Sequence, residues 1–260
     1  MKRALFRAFF ELTSSRAVSF LLKRFARSSF SRVCIPTYVR TFCVNTEEMS
    51  RPVSSYRSLH DLFIRRLRNG SRSIDPHPDA VVSPVDGLLS CCDIVADGYT
   101  FTVKGQTYDL HEMMGDAQSA QPYRSGHLLI VYLSPRDYHR IHSPITGTVE
   151  RRWELGWKSH PVNATGLKWG KRPLSRNHRI ITEFADRGRR VALVKVGAIC
   201  VNSIEITSNT TAPSKGEELA YFSLGSTVVM LFERGSFIPD EKIDVPQYVR
   251  MGMRLGTLCR

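Results

Sequence analysis

Thr227–Phe232 (TVVMLF) is an uninterrupted apolar run of strand length and the clearest structural signal in this chain of 260 residues. Two similar stretches precede it: His127–Leu133 (HLLIVYL), and the β-branched segment Val191–Val201, which has a glycine near its centre. Continuous apolar runs that are short and bounded by turn residues are typical of strands buried on both faces. From residue 73 onward the sequence therefore predicts a body that is mostly β.

Two short segments of this body share the form S-P-x-x-G. Residues 83–87 (SPVDG) and 143–147 (SPITG) lie 60 positions apart, and each leads into apolar residues. Proline near the start and glycine at the end suit a reverse turn. The repeated turn suggests a duplicated β unit. If a pseudo-twofold axis relates the halves, the turns approach each other and Asp86 comes near His142.

The first 72 residues differ from the rest in charge. They hold 15 Lys or Arg and 4 Asp or Glu, whereas the net charge of the remaining chain is close to zero. Met1–Leu12 has a Phe- and Leu-rich face opposite Arg3, Arg7 and Glu11, and a second apolar face follows over residues 16–27. Both patterns predict amphipathic helices. We therefore expect an α+β protein with a helical region (1–72) and a β-rich catalytic domain (73–260).

Three interpretations of the basic end remain open. Apolar residues opposite a stripe of Arg and Lys favour binding to an anionic membrane surface, while amphipathic helices more commonly pack on their own protein. An Arg- and Ser-rich, acid-poor start also suits a cleaved organellar presequence. No apolar run is long enough to span a bilayer. Nucleic acid is not the expected partner, because no helix-turn-helix, zinc-finger or RNA-binding signature is present.

The overall composition, with 42% hydrophobic and 23% charged residues, excludes disordered and fibrous proteins. Six cysteines occur without a Cys-x-x-Cys pair, which fits neither a disulfide framework nor a zinc site and favours a reducing compartment.

The densest polar cluster, residues 137–142, follows the HLLIVYL run directly. His139 and His142, with Asp86 as a third ligand, allow a zinc hydrolase as an alternative, although the spacing lacks the register of a zincin helix. Gly225 and Ser226 precede the TVVMLF run, where a Gly-Ser pair is ordinarily a turn. A non-enzymatic module that binds lipid or nucleic acid is the alternative of another class.

Several blocks in one order resemble the phosphatidylserine decarboxylase proenzyme family. They are Ser58–Leu67 (SLHDLFIRRL), residues 83–87 (SPVDG), Tyr138–Pro144 (YHRIHSP), Gly216–Leu219 (GEEL) and Leu224–Thr227 (LGST). Two positions depart from the commoner pattern: His178, where many members have Glu, and Asn202, where many have Gly. The departures leave the details of the substrate pocket open.

The resemblance implies a self-processing enzyme. Ser226 would attack the carbonyl of Gly225 with His142 as base and Asp86 as its orienting partner, as in a hydrolase triad. Elimination and hydrolysis would then leave a β chain (1–225) and an α chain (226–260) that begins with a pyruvoyl group. This covalent cofactor, without metal or pyridoxal phosphate, would form a Schiff base with phosphatidylserine and release phosphatidylethanolamine and CO₂. His139 would serve this second stage.

The resemblance also implies partners and a location. We expect phosphatidylserine in the bilayer and an anionic membrane surface as partners, and the two cleaved chains as a heterodimer, with a higher oligomer left open. The expected location is peripheral, on the cytoplasmic face of a bacterial cell membrane, rather than the mitochondrial inner membrane.

Overall fold

The computed structural model describes residues 16–157, 160–198, 203–223 and 225–259. The helix predicted over Met1–Leu12, the departure at Asn202 and the thiol of Cys200 lie outside these ranges.

A seven-stranded antiparallel sheet forms the centre of the molecule, in the order β14-β2-β5-β12-β9-β8-β7. Its strands are β2 (Gly87–Ile94), β5 (His127–Leu133), β7 (Thr148–Leu155), β8 (Arg179–Asp186), β9 (Arg189–Gly197), β12 (Ser226–Phe232) and β14 (Gln247–Val249). All three apolar runs are thus confirmed as strands, although the third ends at Gly197. β12 is buried throughout because a hydrophobic core covers each face of the sheet: Val228 and Met230 point to one core, Val229 and Leu231 to the other.

Two three-stranded sheets and one hairpin complete the β structure. One small sheet joins β1 (Ala80–Val82), β15 (Arg254–Leu258) and β13 (Phe237–Pro239); the other joins β10 (Ile204–Ile206), β11 (Glu218–Phe222) and β6 (Arg140–His142). The hairpin consists of β3 (Thr100–Val103) and β4 (Gln106–Asp109). Both small sheets contribute to the core on the Val228 face of the central sheet. The expected α+β class with a β-rich body is confirmed.

The two S-P-x-x-G turns meet, as the predicted duplication requires. The amide of Val82 donates to the carbonyl of Pro144 at 3.0 Å, and the amide of His142 donates to the carbonyl of Pro84 at 2.9 Å. Within each turn the serine hydroxyl donates to the carbonyl two residues on, at 2.6 Å for Ser83 and 2.7 Å for Ser143. The strands β6 to β11 lie between β5 and β12 in the sequence, although β5 and β12 are direct neighbours in the central sheet.

Seven helices and three 3₁₀ turns lie within the described residues. The helices are α1 (Arg16–Arg27), α2 (Ile35–Phe42), α3 (Leu59–Phe63), α4 (Leu110–Met114), α5 (Ala117–Ala120), α6 (Ala164–Trp169) and α7 (Pro173–Arg176). The 3₁₀ turns are Ser29–Cys34, Val53–Ser55 and Gln121–Tyr123. The predicted second helix is therefore present as α1. No helix among these residues is long and apolar enough to cross a membrane.

The basic N-terminal region divides into a packed part and an exposed part. Ile35, Met49 and Leu62 lie in a small core of their own, so α2 and α3 are integral to the fold. In contrast, α1 leaves Phe20 63% exposed and Leu21 62% exposed. Its basic side faces the body instead, where Lys23 and Arg27 pair with Glu205 of β10. The packing interpretation thus describes α2 and α3 but not the apolar face of α1.

Candidate active site

A cavity of about 250 Å³ lies between the N-terminal helices and the end of the central sheet. Its walls are mostly apolar, and the floor is formed by Gly225 and Ser226. The other lining residues are Ala26, Tyr38, Phe42, Leu59, His60, Phe63, Tyr132, Pro135, Pro161, Val162, Asn163, Ala198 and Ser223. Both the helical region and the β body are needed to enclose this space. A pocket with apolar walls and few polar groups is the ordinary form of a site for an organic ligand.

Ser226 is the first residue of β12 and pairs with Gly197 on one side and Leu133 on the other. It is completely buried, and its hydroxyl has no hydrogen-bond partner. A side chain at the preceding Gly225 would begin in open space, because no heavy atom lies within 4 Å of a Cβ built there. A buried hydroxyl without a partner is costly to the fold and rare. The pair therefore presents a hydroxyl without a hydrogen-bond partner directly after a glycine with open space beside its Cα.

His139 is a buried, neutral imidazole. Its Nδ1 lies 2.9 Å from the carbonyl oxygen of Asp137, which only accepts, so Nδ1 carries the hydrogen and Nε2 keeps its lone pair. Nε2 has no partner. Burial, with the nearby Arg65 guanidinium second, lowers the pKa of His139 to about 3. The ring packs on Phe63 of the cavity wall, with ring centroids 3.8 Å apart. The ring is thus a proton acceptor directly behind the cavity.

The hydrogen-bond partners of His142 differ from those that the sequence predicts. Its Nδ1 donates to the carbonyl of Gly216 at 2.8 Å, and its Nε2 lies 3.1 Å from the hydroxyl oxygen of Tyr138. Burial lowers the pKa of His142. The hydroxyl of Ser226 is not among its contacts, because that hydroxyl has none.

Asp86 lies in the turn that meets His142, but its carboxylate is bound elsewhere. It accepts from Arg72, whose Nε lies 2.9 Å away, and from the amide of Met251 at 2.8 Å. The negative charge of Asp86 raises the pKa of His142, but this effect is smaller than the lowering caused by burial. The predicted proximity is confirmed, whereas the predicted hydrogen bond that orients the imidazole is replaced by the ion pair with Arg72.

No group of three or more His, Cys, Asp or Glu side chains in the described part of the chain is arranged to hold a metal ion.

Phe63 and Tyr38 line the cavity, and sequence reasoning did not single them out. Ser58 caps α3 by accepting from the amide of Asp61 at 3.1 Å, which starts the helix so that Leu59 and Phe63 fall on one face. This cap is visible in the sequence as Ser58-x-x-Asp61. Tyr38 donates to the carbonyl of Pro135 at 2.7 Å, a contact across 97 residues that has no local signal.

The fold and the site described above belong to a known family of proteins. The chain is a member of the phosphatidylserine decarboxylase family, whose model matches residues 59–257 and so includes α3, both turns and Ser226.

Curated relatives resemble the whole chain. It is 48% identical to the phosphatidylserine decarboxylase proenzyme of Geobacillus kaustophilus, over 100% of this chain and 98% of that protein. It is 50% identical to the protein of the same name from Anoxybacillus flavithermus, with the same coverage, and 46% identical to the one from Bacillus thuringiensis, over 99% and 98%.

Proposed function

We propose that this chain is a carboxy-lyase that converts phosphatidylserine to phosphatidylethanolamine and CO₂, and that it matures by cutting itself between Gly225 and Ser226. Membership of the family and the names of the relatives support the reaction. The observation that carries the proposed maturation is the position of the Gly225-Ser226 bond at the floor of an apolar cavity, with the serine hydroxyl buried and unpartnered.

The residues at this bond suit an internal attack. The Ser226 oxygen attacks the carbonyl carbon of Gly225, a residue that has no side chain of its own. The bond between the two residues becomes an ester, and elimination of that ester cuts the chain. The fragment 226–260 contains β12, which pairs along its length with both β5 and β9, and it also contains β13, β14 and β15. These pairings keep the two chains together after the cut.

Maturation removes two protons at residue 226, one from the hydroxyl and one from Cα during elimination. We assign His142 and Asp86 to this proton chemistry. Burial lowers the pKa of His142, which favours the uncharged ring that can accept a proton, and the meeting of the two turns brings the Asp86 charge into its surroundings. The role requires His142 to exchange one of its present partners, Tyr138 or Gly216, for an atom of residue 226.

The surroundings of Ser226 fit a pyruvoyl group derived from this residue. Ser226 lines an apolar cavity that has room for the substrate headgroup and for its bond to the pyruvoyl group. Such a group supplies the electron-withdrawing carbonyl that stabilises the charge left when CO₂ departs. His139 accepts a proton from the substrate ammonium at its free Nε2 and returns it to the carbon that has lost CO₂. This role needs a ring that is neutral before the substrate binds, as burial makes it.

The lipid is reached from the side of the N-terminal helices. The exposed Phe20, Leu21 and Phe25 of α1 lie beside Ala26, which lines the cavity. Apolar side chains presented outward next to the opening suit insertion into the interface of a bilayer. We assign the protein a peripheral position on a membrane that displays phosphatidylserine.

A denaturing mass spectrum of the purified protein tests the proposal. We expect two chains that correspond to residues 1–225 and 226–260, the shorter without a free amino group, together with release of CO₂ from phosphatidylserine vesicles. A protein that stays intact while it decarboxylates phosphatidylserine would refute the maturation. A cut protein without this activity would refute the reaction.

A further inference from the structure

Tyr138 and His142 are joined by a side-chain hydrogen bond. The hydroxyl oxygen of Tyr138 lies 3.1 Å from Nε2 of His142, and the two rings are tilted by 31° with their centroids 5.7 Å apart. Both residues are buried, so water has little access to this hydrogen bond. The imidazole is therefore held on its Nε2 side by a phenol.

The other ring nitrogen of His142 decides which group donates in this hydrogen bond. Nδ1 lies 2.8 Å from the carbonyl oxygen of Gly216, and a carbonyl oxygen only accepts, so Nδ1 carries a hydrogen. In the neutral ring Nε2 then has a lone pair and no hydrogen, and the Tyr138 hydroxyl donates to it. Burial lowers the pKa of His142, which favours this neutral ring. The one lone pair with which the ring can accept the Ser226 proton is thus occupied.

The partner on the Nδ1 side is fixed more firmly than the partner on the Nε2 side. The amide of Gly216 donates to the carbonyl of Ser143 at 2.8 Å. The φ angle of Gly216 is +83°, and a Cβ at this position would lie 2.2 Å from Cδ1 of Ile74, so its backbone is closely packed. In contrast, Tyr138 contributes a hydroxyl at the end of a side chain. Of the two present partners, Tyr138 is the one that His142 exchanges when the reaction begins.

Glu218 offers the Tyr138 hydroxyl a second acceptor. Both residues line a cavity of about 330 Å³, and Glu218 is directly opposite His142 in the pairing of β11 with β6. One carboxylate oxygen of Glu218 accepts from Arg140 at 2.6 Å, and the other lies 4.0 Å from Arg66. Burial raises the pKa of Tyr138, and the negative charge of Glu218 is the next largest cause. A hydroxyl that leaves His142 can therefore be bonded or hydrated in this cavity.

We propose that Tyr138 is a positioning residue that restrains self-cleavage: its hydroxyl occupies Nε2 of His142, and the reaction begins when the hydroxyl turns toward the cavity shared with Glu218. The inference rests on the proposed maturation, and it keeps His142 as the base and Asp86 as the partner of that base. In the intact chain the contact keeps the base engaged, so the cut waits for the hydroxyl to leave.

The proton transfer that follows is balanced without Tyr138. The proton of the Ser226 hydroxyl passes to Nε2 of His142 while the Ser226 oxygen bonds to the Gly225 carbonyl carbon. The ring is then an imidazolium whose Nδ1 still donates to Gly216. The same proton passes from Nε2 to the amide nitrogen of Ser226 as the bond from that nitrogen to the Gly225 carbon breaks. An ester remains, the neutral ring is restored, and no proton is gained or lost.

The first experiment measures the rate of self-cleavage of the full chain at pH 8 in cell-free synthesis, with intact and cut chains separated on a denaturing gel. Tyr138→Phe keeps the ring and removes the hydroxyl, so cleavage should be about 2- to 10-fold faster, the range expected for the loss of one hydrogen bond. Tyr108→Phe is the matched control, because Tyr108 is also buried but its hydroxyl has no partner. Cleavage of Tyr138→Phe at the wild-type rate, or more slowly, would overturn the proposal.

The pH dependence of cleavage separates release of the base from a change in packing. The Tyr138 hydroxyl donates only to the neutral ring, so its loss should raise the pKa of His142 by about half a unit to one unit. Cleavage slows where the ring is protonated, and this decrease should begin at correspondingly higher pH in Tyr138→Phe. The other groups that act on the ring are the same in both chains: the Gly216 carbonyl, Glu218, Arg140 and Asp86. An unshifted pH profile would overturn the proposal.

A third measurement does not depend on cleavage. An NMR titration of the imidazole nitrogens in the uncut Ser226→Ala chain gives the pKa of His142, which should be higher when Tyr138→Phe is added. Thermal melting of both chains verifies that they are folded. Equal pKa values of His142 in the two chains would overturn the proposal, whether or not the wild type cuts itself. A wild-type chain that never cuts would instead refute the proposed maturation.

Discussion

The backbone amide of His142 donates to the carbonyl of Pro84 at 2.9 Å, and together with the bond from the amide of Val82 to the carbonyl of Pro144 it joins the two S-P-x-x-G turns. It fixes the start of the second turn against the first. Asp86, two residues beyond Pro84, is thereby held near the buried His142. The proximity of a carboxylate and an imidazole from turns 60 residues apart is thus a consequence of the contact between the turns.

Ser226→Ala removes the nucleophile and should leave a single chain of 260 residues without decarboxylase activity. Mass spectrometry under denaturing conditions measures the first result, and CO₂ release measures the second. Thr227→Val is the control, because the Thr227 hydroxyl is also buried and unpartnered but belongs to the next residue. That variant should cut normally. A cut Ser226→Ala chain would exclude the mechanism.

His139→Ala should still cut itself but lose turnover by about 10²- to 10⁴-fold, the usual contribution of a general acid or base. The physical reason is that its free Nε2 is needed only after the cut. Turnover should be normalised to the fraction of cut chain. Failure of this variant to mature would show that His139 belongs to the first stage.

His142→Ala and Asp86→Ala should each prevent the appearance of two chains. Because His142 is proposed to take the hydroxyl proton before the ester forms, the uncut His142→Ala chain should resist neutral hydroxylamine, a reagent that cleaves esters. Wild-type levels of cut chain in either variant would remove that residue from maturation. For Asp86 the isosteric Asp86→Asn variant is the better measurement, since it keeps the hydrogen bond from Met251 while the charge is lost.

Acidification should destabilise the protein between pH 6.5 and 5. The pKa of His139 is lowered to about 3 by burial, so the unfolded chain binds a proton in this range and the folded protein does not. His139 makes its full contribution to the free energy of unfolding at pH values above the pKa that it has in the unfolded chain. This contribution is lost as the pH falls. One buried histidine gives about 2 kcal/mol over this interval.

Urea unfolding of the uncut Ser226→Ala chain at pH 7.5 and pH 5 measures this change for a single chain. An unchanged midpoint would contradict a buried neutral His139.

Substitution of Phe20, Leu21 and Phe25 by Ser should weaken binding to vesicles that contain anionic lipid, because these side chains form the exposed apolar face of α1. Cosedimentation measures binding, and added salt should weaken it for the wild type. Self-cleavage should be unaffected. Ile238→Ser, at a residue that is 60% exposed on β13, is the control. The corresponding prediction for Phe6, Phe9 and Phe10 concerns residues outside the described ranges and is tested in the same way.

The strands and the two matching turns were predictable because both depend on local sequence pattern. A continuous apolar run such as Thr227–Phe232 indicates a buried strand, and the repeated S-P-x-x-G pattern indicates that the same turn occurs twice. The partners of the site residues were not predictable in this way. The sequence placed Asp86 near His142 but could not show that Arg72 would take its carboxylate, because the pairing depends on how a distant basic segment folds over the turn. Nε2 of His178 lies 2.6 Å from Oε1 of Glu154, and this contact depends on the register of β7 and β8, which no single segment determines.

The proposed cut falls immediately before β12, the strand at the middle of the central sheet, and this position affects how the protein can fold. Before the cut, β12 finds its place between β5 and β9 as part of a continuous chain, so folding is unimolecular. After the proposed cut, the same strand would belong to a separate fragment, and its return from the unfolded state would depend on the concentration of both pieces. A pair of separately made fragments could not create the reactive group, because that group would arise from the bond that joined them. An enzyme matured in this way would therefore fold as one chain before the cut, and an unfolded mature molecule would have to be replaced rather than refolded.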